Sequence, residues 1–345
     1  MAYVRRNNIK MSSNVSKSMN TNYKKINNLT KNYAEELLKV LPWETKEVPA
    51  EIPHGDMPGD KIEIGESHIA KANKIFPVLV KEIAEKMKIN ENQRVVVSVC
   101  GGSGVGKSEI ASVLAWFLNQ SGIGAYILSG DNYPHRIPMY NDAERLHVFR
   151  ESGVRSMVEA GDFTNERFAE IRSWQQEDTD ADKNHAEGNT WFGSYLAGGR
   201  KGLSEYLGTS NETDFDEVSS IISAFKDGAA DLWLRRMGRD AASLWYEDVD
   251  FTDKQVLIIE WTHGNSDFLK GVDIPVLLNS TPAETLEHRR ARNRDGKTDS
   301  AFTTMVLEIE QGKLHAQAHK AKIICSKNGE LISFDEYTEL MKDQF

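Results

Sequence analysis

Residues 95–108 read VVVSVCGGSGVGKS, and no other stretch of the 345-residue chain limits the possible folds as tightly. Val95–Val99 is β-branched and almost continuously apolar, the pattern of a strand buried on both faces of a parallel sheet. Ile110, Ala111, Val113, Leu114, Phe117 and Leu118 then recur at helical spacing across Ser108–Gln120. Between strand and helix, Gly101, Gly106, Lys107 and Ser108 stand in the G-x-x-x-x-G-K-S order. Glycines let such a loop curl until several backbone N–H groups converge on one anion. The lysine reaches the β/γ-phosphates, the serine hydroxyl sits on Mg²⁺, and the helix N-terminus faces the same charge. The candidate nucleotide cradle is therefore Gly101, Gly102, Ser103, Gly104, Val105, Gly106, Lys107 and Ser108. A chance glycine-rich turn would lack this strand before it and this helix after it.

Strand and helix patterns alternate along the rest of the chain, which predicts an α/β fold with a parallel sheet covered on both faces. Further strands are expected at 125–129, 255–260, 272–279 and 322–325, and helices at 138–172, 216–226, 284–294 and 301–318. Ligands on such a sheet gather beyond the carboxyl ends of its strands. Residues 34–93 read as an N-terminal helical extension, with a Pro/Gly-bearing connector at 42–65 between two helices. Residues 94–345 read as the main domain, interrupted at about 175–211 by a polar insert containing Trp191, Phe192 and Tyr195. That insert fits either a flap over a substrate or a plain surface excursion.

Charge is uneven. Residues 1–34 hold seven Lys/Arg and no Asp/Glu, leaving 35 basic against 52 acidic side chains in the remainder. So acidic a body argues against a nucleic-acid partner. Residues 1–33 are basic and poor in apolar side chains, and read as a disordered tail. No apolar run approaches a membrane span. Two cysteines, Cys100 and Cys325, form no disulfide framework, and a cytoplasmic setting is expected. A small-molecule partner is expected, and a homodimer stays open.

The strand QVLIIE ends on Glu260. If it lies beside the first strand, that carboxylate comes close to Mg²⁺ and its water shell, so the metal-binding candidates are Ser108 and Glu260. Asp131 ends the second strand in LSGDNYPHR. Phosphoryl transfer to a hydroxyl needs a carboxylate to orient it and take its proton, and Asp131 is the candidate base; a turn or helix cap is its plainer reading. EHRRARNRD at 287–295 gathers Arg289, Arg290, Arg292 and Arg294, and guanidinium groups suit the charge of a transferring phosphoryl. Arg290 and Arg294, four apart, share a helical face. Tyr133, His135 and Arg136 follow Asp131 directly, His263 follows Glu260, and Arg235 belongs to a second basic cluster; all five are candidate acceptor contacts. Arg136 and Arg235 would suit an anionic acceptor.

GGSGVGKS, SGDNYPHR, TDFDEVSSIISAFKDG, VLIIE, RARNRD and AHKAKIIC together resemble the phosphoribulokinase/uridine kinase family of P-loop kinases, over roughly residues 94–326. The resemblance implies a P-loop kinase-type sheet flanked by helices, ATP and Mg²⁺ as cofactors, and transfer of the γ-phosphoryl of ATP to a hydroxyl of a sugar, nucleoside, polyol or hydroxy acid. It gives Asp131 the role of base and makes the arginine stretch a lid over ATP, with Arg290 against the adenine. The chain departs from the family in reading Glu260-Trp261-Thr262-His263-Gly264 where the family strand continues E-G, and in lacking the pyrimidine-nucleoside segments, so the acceptor is open. LSGDNYPHR is also similar to the GDN-x-R segment of adenylylsulfate kinases, a second reading. A nucleotide-binding regulatory protein is the alternative of another class. A GTPase would need D-x-x-G after the loop, whereas Asp56-Met57-Pro58-Gly59 precedes it, and N-K-x-D is absent.

Overall fold

The computed structural model describes residues 20, 23–26, 31–238, 240, 243–287, 290 and 300–342. Its strands are β1 (Val95–Gly101), β2 (Ala125–Ser129), β3 (Asp231–Met237), β4 (Leu244–Asp250), β5 (Val256–Glu260), β6 (Ile274–Leu278), β7 (Ile323–Cys325) and β8 (Leu331–Ile332). Its helices are α1 (Tyr33–Leu38), α2 (Glu66–Ile89), α3 (Lys107–Gln120), α4 (Pro138–Ala160), α5 (Asn165–Gln176), α6 (Phe192–Tyr206), α7 (Phe215–Lys226), α8 (Ala301–Gln317) and α9 (Phe334–Met341).

Six strands form one sheet in the order β2-β5-β1-β6-β7-β8, parallel except for β8. Its centre is buried on both faces, as the valine run predicts. Val95, Val97, Val99 and Ile258 point into one core with Phe76, Leu79, Ile83, Leu114 and Phe117 of α2 and α3. Val96, Leu257 and Ile259 point the other way, against Val218, Ile221 and Phe225 of α7. The period-two alternation of a strand thus splits one hydrophobic run between two layers of helices.

The N-terminal extension belongs to the main core. Trp43 packs on Phe76 and Phe117 at centroid distances of 4.4 and 5.0 Å, joining connector, α2 and α3. Of the expected loose tail, Tyr23–Ile26 is seen bridging to Gly228–Ala230, through Ile26 N–H to Gly228 O at 2.9 Å and Ala230 N–H to Lys24 O at 2.7 Å.

The insert folds as part of a helical lobe with a core of its own. The expected helix over 138–172 breaks at Gly161, and α4, α5 and α6 enclose a core of Phe149, Met157, Ile171, Phe192, Tyr195 and Leu203. Met305, Val306 and Ile309 of α8 complete that core. At its centre the carboxylate of Asp180, 2% exposed, accepts from Tyr195 Oη–H at 2.7 Å and from Arg150 at 2.8 and 3.0 Å. β3 and β4 form an antiparallel hairpin apart from the main sheet. It escapes a sequence reading because β4 is mostly exposed and bears Glu and Asp instead of an apolar run. Among the described residues no helix is long and apolar enough to cross a membrane.

Candidate active site

β1 delivers the glycine loop to the carboxyl edge of the sheet, and α3 starts from it at Lys107. Gly106 adopts φ +93°, a conformation open to glycine, and a Cβ there would come within 2.9 Å of the His68 ring. Lys107 Nζ donates to Gly102 O at 3.2 Å, so the ammonium lies over the loop it closes.

Strand register sets the carboxylates. Glu260 pairs with Val99 on one side and Ser129 on the other, two residues short of Gly101 and of Asp131 respectively. β5 lies between β1 and β2, and that adjacency brings the two sequence-distant motifs to one cleft. Ser129 Oγ–H donates to Glu260 Oε2 at 3.3 Å, and the Ser108 hydroxyl also bonds the carboxylate. Burial pushes the Glu260 carboxyl up to about 7; Lys107 and Ser108 oppose the shift, while Asp131 and Asp60 add to it. A buried carboxylate this reluctant to ionise, beside a hydroxyl and below the phosphate loop, is an all-oxygen donor set for a hard cation. No group of three His, Cys, Asp or Glu among the described residues could cage a metal unaided. The donors therefore suit Mg²⁺, which keeps several waters and takes phosphate oxygens beside one or two protein ligands. Asp131 itself is exposed, in the short 3₁₀ turn Gly130–Asn132 that follows β2.

The far wall comes from α4, α8 and the loop 207–214. Glu212, 1% exposed in its side chain, accepts from Arg145 Nε at 2.5 Å, Asn141 Nδ2 at 2.9 Å and Gly208 N–H at 2.6 Å. Burial works to raise this carboxyl, but the Arg145 guanidinium and the Gly208 amide hold it below its usual range. His263 stands over Gly208, whose φ of +62° lets the ring approach to where a Cβ would clash at 2.5 Å. Burial drives the imidazole down to about 4; Glu212 resists, and Arg145, Lys313 and Lys107 reinforce the shift, so the ring is neutral at physiological pH. Glu310, also raised by burial, lies in the field of Arg145, Glu212, Lys107 and Asp131. Lys313, one turn further along α8, faces Glu212.

The structure brings Lys107, Ser108, Asp131, Glu260 and His263 into one cleft. Two expected acceptor contacts give way. Tyr133 has no exposed surface and sits in the core with Val96, Phe215 and Trp261. Arg235 is 7% exposed and its guanidinium is occupied: Nε donates to Asn132 O and Nη2 to Pro134 O, both at 2.8 Å, with Glu217 at 3.6 Å. It therefore ties down the backbone beside Asp131 and is withdrawn from any ligand. Arg136 bonds Tyr206 Oη at 3.0 Å and Glu144 at 3.4 Å, and the exposed His135 bonds Ser210 O at 3.1 Å, so both brace the cleft's outer edge. Arg290 is helical and exposed, whereas Arg294 lies outside the described residues. Glu212, Glu310 and Lys313 escape a sequence reading because no motif spacing links them; the one local signal is the i, i+3 pair Glu310/Lys313.

Parallel sheet, phosphate loop and neighbouring carboxylates give the chain the architecture of a P-loop α/β domain. No protein-family model matches the chain. Over 240 residues, 70% of this chain, it is 39% identical to a bifunctional alpha-galactosidase/sucrose kinase, AgaSK, of Mediterraneibacter gnavus, and it spans 21% of that protein's length. Among solved structures, a candidate fructose transport system kinase from Silicibacter sp. TM1040 is 15% identical with a TM-score of 0.36, over 69% of this chain and 91% of that one. A possible uridine kinase from Bacillus stearothermophilus is 14% identical with a TM-score of 0.34, over 72% and 98%.

Proposed function

We propose that this protein is an ATP-dependent kinase that phosphorylates a hydroxyl of a neutral sugar. The observation that supports the reading is the placement of Lys107 of the phosphate loop and of Asp131 both within electrostatic reach of Glu260 at one edge of the sheet. The loop amides and Lys107 hold the triphosphate. Ser108 and Glu260 would hold Mg²⁺, which would supply charge neutralisation on the phosphate oxygens. Asp131 accepts the proton of the acceptor hydroxyl as its oxygen bonds to the γ-phosphorus. The bond from that phosphorus to the β–γ bridging oxygen breaks, and ADP leaves. The arginine stretch, of which Arg290 is exposed and Arg294 lies outside the described residues, would offset charge on the nucleotide.

The far wall argues for an uncharged acceptor. The Arg145 guanidinium is paired with Glu212, Arg136 with Glu144, and Glu310 and Asp131 add carboxylates. The guanidinium groups of Arg145 and Arg136 are already paired with carboxylates, so a phosphate or sulfate would have to displace those partners, whereas vicinal hydroxyls find donors and acceptors interleaved. This disfavours the anionic acceptor that Arg136 and Arg235 suggest in the sequence, and with it an adenylylsulfate. The name of the 39%-identical relative supports a sugar, with sucrose first among those to try. The test is ATP consumption against a panel of neutral mono- and disaccharides, their phosphates, nucleosides and adenylylsulfate. Turnover stimulated by one neutral sugar, and lost in Asp131→Asn, is the expected result. Stimulation by an anionic acceptor alone would refute the neutral-sugar reading, and nucleotide binding without any acceptor-stimulated turnover would refute the kinase.

A further inference from the structure

The connector between α1 and α2 reaches the edge strand β2 and inserts one carboxylate under the turn that carries Asp131. Asp56 is buried, its side chain 8% exposed, and its two oxygens divide their partners. Oδ1 accepts from Ser129 N–H at 2.7 Å and Asn132 Nδ2 at 3.0 Å, the residues on either side of Gly130-Asp131. Oδ2 accepts from Tyr126 Oη–H at 2.9 Å and Arg236 Nη1 at 3.0 Å, which anchor it to β2 and the β3 hairpin. Asn132 Oδ1 in turn accepts from Met237 N–H at 2.9 Å, so the turn is clamped from below and behind. Four residues further along the connector, Asp60 acts on Glu260.

We infer that Asp56 is a positioning residue for phosphoryl transfer: one oxygen grips both flanks of Asp131 and fixes where the base's carboxylate stands relative to the phosphate loop. A buried ion pair is weak support for stability, since an apolar pair of equal volume serves a core as well. The same pair is well suited to holding in a single geometry the turn that presents the exposed Asp131, where a displacement of about 1 Å costs about a hundredfold in rate. The N-terminal extension is thereby part of the catalytic apparatus.

The inference rests on the kinase reading, and the two fail differently. In the full-length chain, at a temperature where every variant is folded, Asp56→Asn is expected to lower kcat at least about tenfold. Its affinity for a non-hydrolysable ATP analogue stays within about twofold, because the phosphate loop is untouched. Amide exchange at 129–132 accelerates. Tyr126→Phe removes a donor from the same carboxylate but leaves the turn held, and keeps its kcat. A folded Asp56→Asn with parental kcat, or a Tyr126→Phe that loses as much, overturns the inference. If Asp56→Asn does not fold, Asn132→Asp sets two carboxylates against each other at the same contact and carries the same expectation. If the parent shows no acceptor-dependent turnover, the kinase reading falls, and unchanged exchange at 129–132 in the variant overturns the clamp as well.

Discussion

Glu260 gives the cation end of the cleft a measurable pH signature. Its carboxyl, raised mainly by burial, holds a proton up to about pH 7, and a divalent cation binds the ionised form. With that value the ionised fraction is about one-eleventh at pH 6, one-half at pH 7 and ten-elevenths at pH 8. The apparent Mg²⁺ affinity of the nucleotide complex should therefore gain about tenfold from pH 6 to pH 8 through this group, about 1.4 kcal/mol. The nucleotide's own protonation adds a slope of its own. Glu260→Gln has that slope and lacks the carboxyl, so the difference between the two proteins isolates Glu260. The measurement is Mg²⁺ titration of each protein with an ATP analogue bound, at half-unit pH steps. The cation-free protein should move the other way. Its folded carboxyl takes up a proton more readily than the unfolded chain, so the stabilisation is fully present below about 4.5 and is lost as pH rises through about 7. That loss is at most about 3 kcal/mol. Equal pH slopes in parent and Glu260→Gln would refute the placement of this carboxylate at the cation.

Asp131→Asn should leave the fold intact, since the side chain is exposed, and lower kcat by about 10²- to 10⁴-fold at unchanged analogue binding; parental turnover would remove Asp131 as base. His263, held down at about 4, stabilises fully above the unfolded value near 6.5 and loses that contribution as pH falls toward 4. Thermal melts of His263→Gln against the parent should therefore converge in acid, and parallel curves would contradict the burial of the ring. Phe149→Ala empties the core shared by α4, α5, α6 and α8 and should cost about 3–5 kcal/mol. Calorimetry should find this loss with the acceptor KM raised and analogue affinity kept; equal loss of both would mean that the lobe does not serve the acceptor alone.

What could be read from the chain was what sits within one element. The phosphate loop announces itself because anion binding by backbone amides needs glycine at fixed spacing beside a buried strand. Glu260 could be read because a buried strand that ends on an acid is an anomaly of burial, and Asp131 because it stands in the turn that leaves another strand at the same edge. The insert was misjudged for a physical reason. It buries Tyr195 with Asp180 against Arg150 of α4 as a satisfied polar cluster, and its apolar residues come singly instead of in a long run. Tyr133 and Arg235 misled in the same way: aromatic and basic residues beside a catalytic turn suit a ligand or a brace equally well by composition. Only the carbonyls of Asn132 and Pro134, brought within reach of the guanidinium, decide for the brace.

The acceptor wall shows why such a site resists sequence reading even when its chemistry is ordinary. Arg145 lies on α4, Glu212 before α7, His263 after β5 and Glu310 on α8, and each pairwise contact spans tens of residues. No single element fixes the spacing, so no motif exists to find. What unites them is α8. It begins just after the arginine stretch, sends Met305, Val306 and Ile309 into the core of the helical lobe, and carries Glu310 and Lys313, both in the field of Glu212, in the turns beside them. One rigid helix therefore borders the nucleotide side, the acceptor side and the lobe that carries Arg145. A substitution that repacks Ile309 should then disturb acceptor affinity without touching any residue that contacts the acceptor, because Glu310 is its neighbour on a body that turns as a unit.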